Sequence, residues 1–169
     1  MSIEVEIREE PADGPAARLL FEQYLALVHD RIGPDLVPSE RIFATPERSA
    51  GSTWLVIYDG AGRPIGCGGL QTLAPGVGEI KRMFVAHRAR GVGLGRRLLR
   101  ELESRAAQAG LSCVRLLTTE VLSEARALYA AEGYKLIERI QREGQPVELW
   151  LEKELDSKAV KRLAPIRHG

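Results

Sequence analysis

The segment Glu79-Ile-Lys-Arg-Met-Phe-Val-Ala-His-Arg-Ala-Arg90-Gly-Val-Gly-Leu-Gly95-Arg-Arg-Leu-Leu99 constrains the fold most, because a strand-like run feeds a glycine loop that opens an amphipathic helix. Glycines at 91, 93 and 95 let the main chain take positive φ and approach a ligand with no Cβ in the way, so several successive N–H groups can point at one anion. Leu94, Leu98, Leu102 and Ala106 repeat at helical spacing, which ends the loop at a helix N-terminus. The free N–H groups and positive dipole end there favour a phosphate, and Arg90, Arg96 and Arg97 add cationic donors. Two familiar nucleotide loops do not fit. A P-loop needs Gly-Lys-Ser/Thr where this chain reads Gly95-Arg96-Arg97, and a dinucleotide fingerprint needs its third glycine at position 96, which is Arg.

The rest of the chain reads as one soluble domain. At 169 residues it is long enough for one sizeable core and short for two, and 44% hydrophobic with 28% charged residues is a globular composition. Apolar runs stay well short of the roughly 20 residues that span a bilayer, and Met-Ser-Ile-Glu-Val-Glu lacks the form of a signal peptide, so the expectation is a cytoplasmic protein without membrane contact. A net charge of +1 gives no case for nucleic acid. Cys67 and Cys113 lie in apolar stretches and are expected to be buried free thiols. His29, His87 and His168 are scattered, without metal-ligand spacing, so no metal is expected.

An alternating strand is expected at Ile3–Arg8, then a helix over Pro15–His29 and a proline-punctuated stretch with a short helix around Ser39–Ala44. Thr53–Tyr58 and Pro64–Leu70 flank Asp59-Gly60-Ala61-Gly62 as a hairpin. Glu79–Val85 is the next strand, and the helix after it stops near Gly110. Leu111–Thr118 is a buried strand, Ser123 the N-cap of a helix carrying Tyr129, and Lys135–Arg142 with Pro146–Glu154 a closing hairpin. The fold class is α/β (α+β): a mixed sheet of about six to seven strands flanked by helices. Residues 1–155 form the domain, and 156–169 a basic solvated tail.

Arg90-x-x-Gly93-x-Gly95 directly after a strand resembles the coenzyme A signature of the GNAT superfamily of N-acetyltransferases, and Ala125-Arg-Ala-Leu-Tyr129-Ala-Ala-Glu-Gly133-Tyr134 is similar to its second conserved block. The resemblance covers nearly the whole chain. It implies a sheet splayed at the acyl-CoA site and transfer of acetyl from acetyl-CoA directly to a primary amine. It also implies that Met83, Phe84 and Val85 pair through their main chain with the pantetheine arm, and that Arg90, Gly91, Val92, Gly93, Leu94, Gly95 and Arg96 hold the pyrophosphate.

Three chemical needs then require residues: a base for the ammonium, an acid for the departing thiolate and a donor for the carbonyl oxygen. Main-chain N–H groups near Met83–Val85 suit the last. Tyr129 occupies the superfamily's position for the acid, while a packing role for its ring is the alternative. Glu79 matches the strand glutamate used as base in the histone-acetylating branch. Alternation puts Lys81 on the same face, where an ion pair would weaken that base, and a water chain or a structural carboxylate is the alternative. His87 belongs beside the phosphates or has no role, and Arg82 is expected on the opposite strand face from Glu79. The chain departs from the pattern at Leu122, where many members carry Asn on the coenzyme A arm; Ser123 or Thr119 is the substitute considered.

The acceptor has no shared signature. Asp30, Asp35, Glu40 and Glu47 would attract a small-molecule amine, or simply line a solvated loop. An acyl-CoA sensor without turnover and a protein N-acetyltransferase are the alternative functions. A homodimer would use an exposed edge at Pro146–Glu154.

Overall fold

The computed structural model describes residues 3–33 and 52–156. The expected Ser39–Ala44 helix, the carboxylates Asp35, Glu40 and Glu47, and the basic tail after Asp156 lie outside the described residues. Along the chain run β1 (Val5–Glu9), α1 (Pro15–Ile32), β2 (Thr53–Asp59), β3 (Pro64–Ala74), β4 (Val77–Val85), a single 3-10 turn (His87–Ala89), α2 (Leu94–Gln108), β5 (Cys113–Thr119), α3 (Ser123–Ala131), β6 (Lys135–Ile140) and β7 (Glu148–Glu154).

The strands form one seven-stranded sheet in the order β1-β2-β3-β4-β5-β7-β6. Every pairing is antiparallel except β4 with β5, which are joined through α2. The run Trp-Leu-Val-Ile-Tyr in β2 is buried throughout because the two faces of the sheet are covered by different helices. On one face Leu94, Leu98, Leu99, Leu102 and Ala106 of α2 pack against Leu55, Ile57, Ile65, Ile80 and Val114. On the other, Ala17, Leu20 and Phe21 of α1 pack against Trp54, Val56, Tyr58, Cys67 and Phe84. Among the described residues no helix is long and apolar enough to cross a membrane.

The seven strands and flanking helices match the expected class, and three local readings need correction. Cys67 is a buried free thiol as expected, whereas Cys113 is only half-buried, at the start of β5. The Pro146–Glu154 strand is not an edge: β7 lies between β5 and β6, so among the described residues Lys135–Ile140 forms the edge on that side, with β1 at the other. Simple alternation also fails in β4. Cys67 pairs with Phe84 and Gly69 with Lys81, so one residue of β3 faces two of β4, a β-bulge where Arg82 takes φ 54°. The bulge turns the Arg82 guanidinium over the Phe21 ring at 5.1 Å, on the α1 side with Lys81, not on the face opposite Glu79.

Candidate active site

The geometry of the site begins where β4 and β5 part. They pair at Val77↔Cys113, Gly78↔Val114 and Glu79↔Arg115 and no farther, while β4 stays bonded to β3 as far as Val85. From Ile80 onward the β5-side edge of β4 is therefore open to an extended ligand. Helix α3 stands across the gap, and between it and the end of β4 lies a cleft of about 510 Å³. Met83, Phe84, Val85, Arg90, Gly91, Gly93, Leu94, Gly95, Arg96 and Tyr129 all line it.

The glycine loop closes one end of the cleft. Gly91 (φ 85°) and Gly93 (φ 83°) are left-handed, and a Cβ at either would meet no protein atom within 4 Å. Gly93 caps α2 without a side-chain hydrogen bond, so the first N–H groups of the helix face the loop's concave side. Gly95 differs from the expectation of positive φ: it sits inside the helix, and its Cβ would approach Leu128 Cδ2 to 3.3 Å, so the glycine permits α2 and α3 to pack. The arginines are already partnered. Arg90 Nε donates to Val85 O at 2.9 Å, while Arg96 Nε meets Glu132 Oε1 at 2.8 Å, beside Arg100 on the other oxygen. Arg97 is exposed.

Two loop or helix candidates fall outside the cleft. Val92 is 47% exposed and does not line it. Ser123 opens on a separate groove between α3 and the β6–β7 ladder, and Leu122, not Ser123, is the N-cap of α3. Leu122 itself lines the cleft, an apolar wall where the superfamily pattern has Asn.

Tyr129 is the buried residue of α3, with its ring 5.8 Å from that of Tyr134. Burial, with a smaller contribution from Tyr24, pushes its phenol well above the usual tyrosine range, so its O–H is present at any working pH. Gly133 (φ 90°) terminates the helix, and Tyr134 N–H donates to Tyr129 O at 3.0 Å, fixing the turn into β6.

Glu79 stands at the fork and does not line the cleft. It is 7% exposed, with Lys81 Nζ 3.7 Å from Oε2 and Gln71 Nε2 donating to the same oxygen at 3.3 Å. The ion pair read from alternation is therefore present. Gln71 and Lys81 open on a second cavity, about 310 Å³, with Glu9, Glu10, Asp13 and Trp54 among its walls. His87 occupies the 3-10 turn before the loop, outside both cavities.

The sequence reading missed the α1 wall of the cleft. Tyr24 and Leu27 line it, with the Tyr24 ring 5.8 Å from Phe84. Leu20, Tyr24 and Leu27 recur at helical spacing, which in the sequence signals an apolar face and not a ligand-facing one. Arg31 at the end of α1 makes a two-pronged bond to Glu124 at the start of α3, at 2.7 and 2.8 Å, spanning the mouth of the cleft. That bond holds the Glu124 carboxyl down at about 2. No local pattern links residues 93 apart.

The family model described as "Acetyltransferase (GNAT) family" matches residues 18–134. An IAA acetyltransferase from Azospirillum brasilense is 35% identical over 131 residues, covering 75% of this chain and 81% of that protein. Among solved structures, an IAA acetyltransferase from Bacillus cereus superposes with TM-score 0.63 at 23% identity, over 90% of this chain and all of that one. The protein yncA from Salmonella typhimurium, solved with its cofactor acetyl-CoA, superposes with TM-score 0.69 at 17% identity, over 90% of this chain and 95% of that one. These two likenesses are of fold.

Proposed function

The chain belongs to the acetyltransferase (GNAT) family of acetyl-CoA-dependent enzymes, and from that premise we propose that it moves the acetyl group directly onto a primary amine of a small molecule. One observation carries the reading: the open edge of β4, the left-handed glycine turn at the N-terminus of α2 and the buried Tyr129 share a single cleft.

The residues fit a coenzyme A thioester. The free space beside Gly91 and Gly93 suits a pyrophosphate bound by main-chain N–H groups, and the unpaired edge of Met83–Val85 suits the amides of the pantetheine arm. When bound, the thioester supplies the electrophilic carbonyl. A main-chain N–H on the open edge of Met83–Val85 would donate to its oxygen as charge develops. The Tyr129 hydroxyl donates to the leaving sulfur; its raised pKa keeps the proton in place until the sulfur becomes anionic. Glu79, or a water it holds, takes the proton from the ammonium and leaves the nitrogen lone pair free to attack.

The amine enters by the cavity lined by Gln71 and Lys81, whose wall carries Glu9, Glu10 and Asp13 and so favours a cation. A cavity of this size, and a relative named for IAA, support a small acceptor over a protein. A catalytic domain over residues 1–155 with a basic tail, cytoplasmic and paired through its free β6 edge, where Leu136 and Ile137 are exposed, completes the proposal.

Release of coenzyme A, followed with a thiol reagent across amines, amino acids, polyamines and aminoglycosides, tests the proposal. A rate above the acceptor-free control for one class supports it and names the acceptor; silence across the panel with acetyl-CoA binding intact overturns the small-amine reading.

A further inference from the structure

Among the described residues the carboxylate of Glu79 is held through one oxygen. The β3–β4 register sets Gln71 directly opposite it, and the Gln71 amide donates to Oε2 at 3.3 Å. Lys81 Nζ lies 3.7 Å from the same Oε2. Among the described residues both contacts fall on that one oxygen, and Glu79 itself lines neither cavity. Lys81 is a rotatable point charge beyond hydrogen-bond distance, so it attracts the carboxylate without orienting it. The planar amide of Gln71 is directional, and it is partly exposed in the wall of the 310 Å³ cavity.

We propose that Gln71 is a positioning residue for the transfer reaction: standing between that cavity and Glu79, it pins Oε2 so that Oε1 is held ready for the proton of an acceptor ammonium that enters there. The inference rests on Glu79 acting as the base in the function proposed above. One N–H bond of the ammonium breaks, its proton bonds to Oε1, and its electron pair stays on nitrogen. The other charged groups beside Glu79 are engaged: Arg115, its partner on β5, meets Glu152 of β7 at 2.6 Å, and Arg82 is turned onto Phe21.

Two measurements test this. In amide-detected NMR, the side-chain resonance of Gln71, identified by its loss in Gln71→Met, is expected to move as pH falls and to stop moving in Glu79→Gln. No movement, or the same movement in Glu79→Gln, overturns the contact. In kinetics with the most reactive amine of the panel, Gln71→Met is expected to lower kcat about tenfold, with the KM for acetyl-CoA unchanged. It should cost nothing further in the Glu79→Gln background. Wild-type kcat in Gln71→Met beside a crippled Glu79→Gln overturns the inference alone. A fully active Glu79→Gln removes the base reading and the inference with it. Thermal melts of each variant exclude misfolding as the cause.

Discussion

Replacing Tyr129 with Phe removes one hydroxyl and leaves the ring in its place, 5.8 Å from Tyr134 and in the wall of the cleft. Folding stability should change by less than about 1 kcal/mol, because only a single hydrogen-bonding group is lost. Turnover should change far more. A hydrogen bond to an ionised group contributes about 1.5–3 kcal/mol, and if the hydroxyl meets the sulfur only as it becomes a thiolate, that energy is absent from the bound ground state. The loss in kcat is then about 10- to 150-fold, with acetyl-CoA affinity within about twofold of wild type. Thiol release at saturating substrates gives kcat, and calorimetry gives the affinity. Since burial raises the Tyr129 pKa, the wild-type rate should show no alkaline loss from this phenol below about pH 10. A Phe variant that keeps the full rate across pH would reduce Tyr129 to a packing residue.

Two further predictions concern ion pairs. Lys153 holds the buried Glu103 carboxylate at 2.8 and 2.9 Å, and burial pushes the Glu103 pKa up despite that partner. A raised carboxylate pKa means that the folded state binds the extra proton, so this group's contribution to stability falls as pH rises from the ordinary 4.5 through the folded value. Lys153→Met should deepen the deficit at neutral pH by roughly 1–3 kcal/mol and recover on acidification, read from denaturant titrations at pH 7 and pH 5. The Arg31–Glu124 bond acts with the opposite sign: a Glu124 carboxyl held at about 2 contributes stability that is present above 4.5 and lost as pH falls toward 2. Arg31→Met should therefore melt below wild type at neutral pH, the gap closing across that window, and acetyl-CoA should dissociate faster from a cleft whose mouth is no longer spanned. A gap that stays constant with pH would show that the bond contributes nothing.

What could be read without coordinates was local. The αL turns at Gly91 and Gly93 and the helix they open follow from spacings within a few residues, while the gap facing Tyr129 was implied by the family resemblance. Gly95 was misread because its constraint, Leu128, lies on another helix. Arg82 was put on the wrong face because a bulge adds one residue to β4, and period-two alternation cannot anticipate that addition. The edge was misplaced because β7, though last, returns between β5 and β6. Tyr24, the Arg31–Glu124 span and Gln71 were invisible for the same reason: each gains its meaning from an element distant in sequence. Gln71 in particular is one more polar residue in β3 until register sets it opposite Glu79.

The central claim is that the glycine turn at the head of α2 holds the phosphates of acetyl-CoA, and calorimetric titration of acetyl-CoA into wild type and Gly93→Glu tests it most directly. Open space at the Gly93 Cβ lets the carboxylate project where the pyrophosphate should lie, and the left-handed φ of 83° costs the fold only about 1–2 kcal/mol. The account predicts measurable binding to wild type and none to a Gly93→Glu protein that still melts cooperatively. Equal affinity in the two proteins would contradict it and move the cofactor away from this loop.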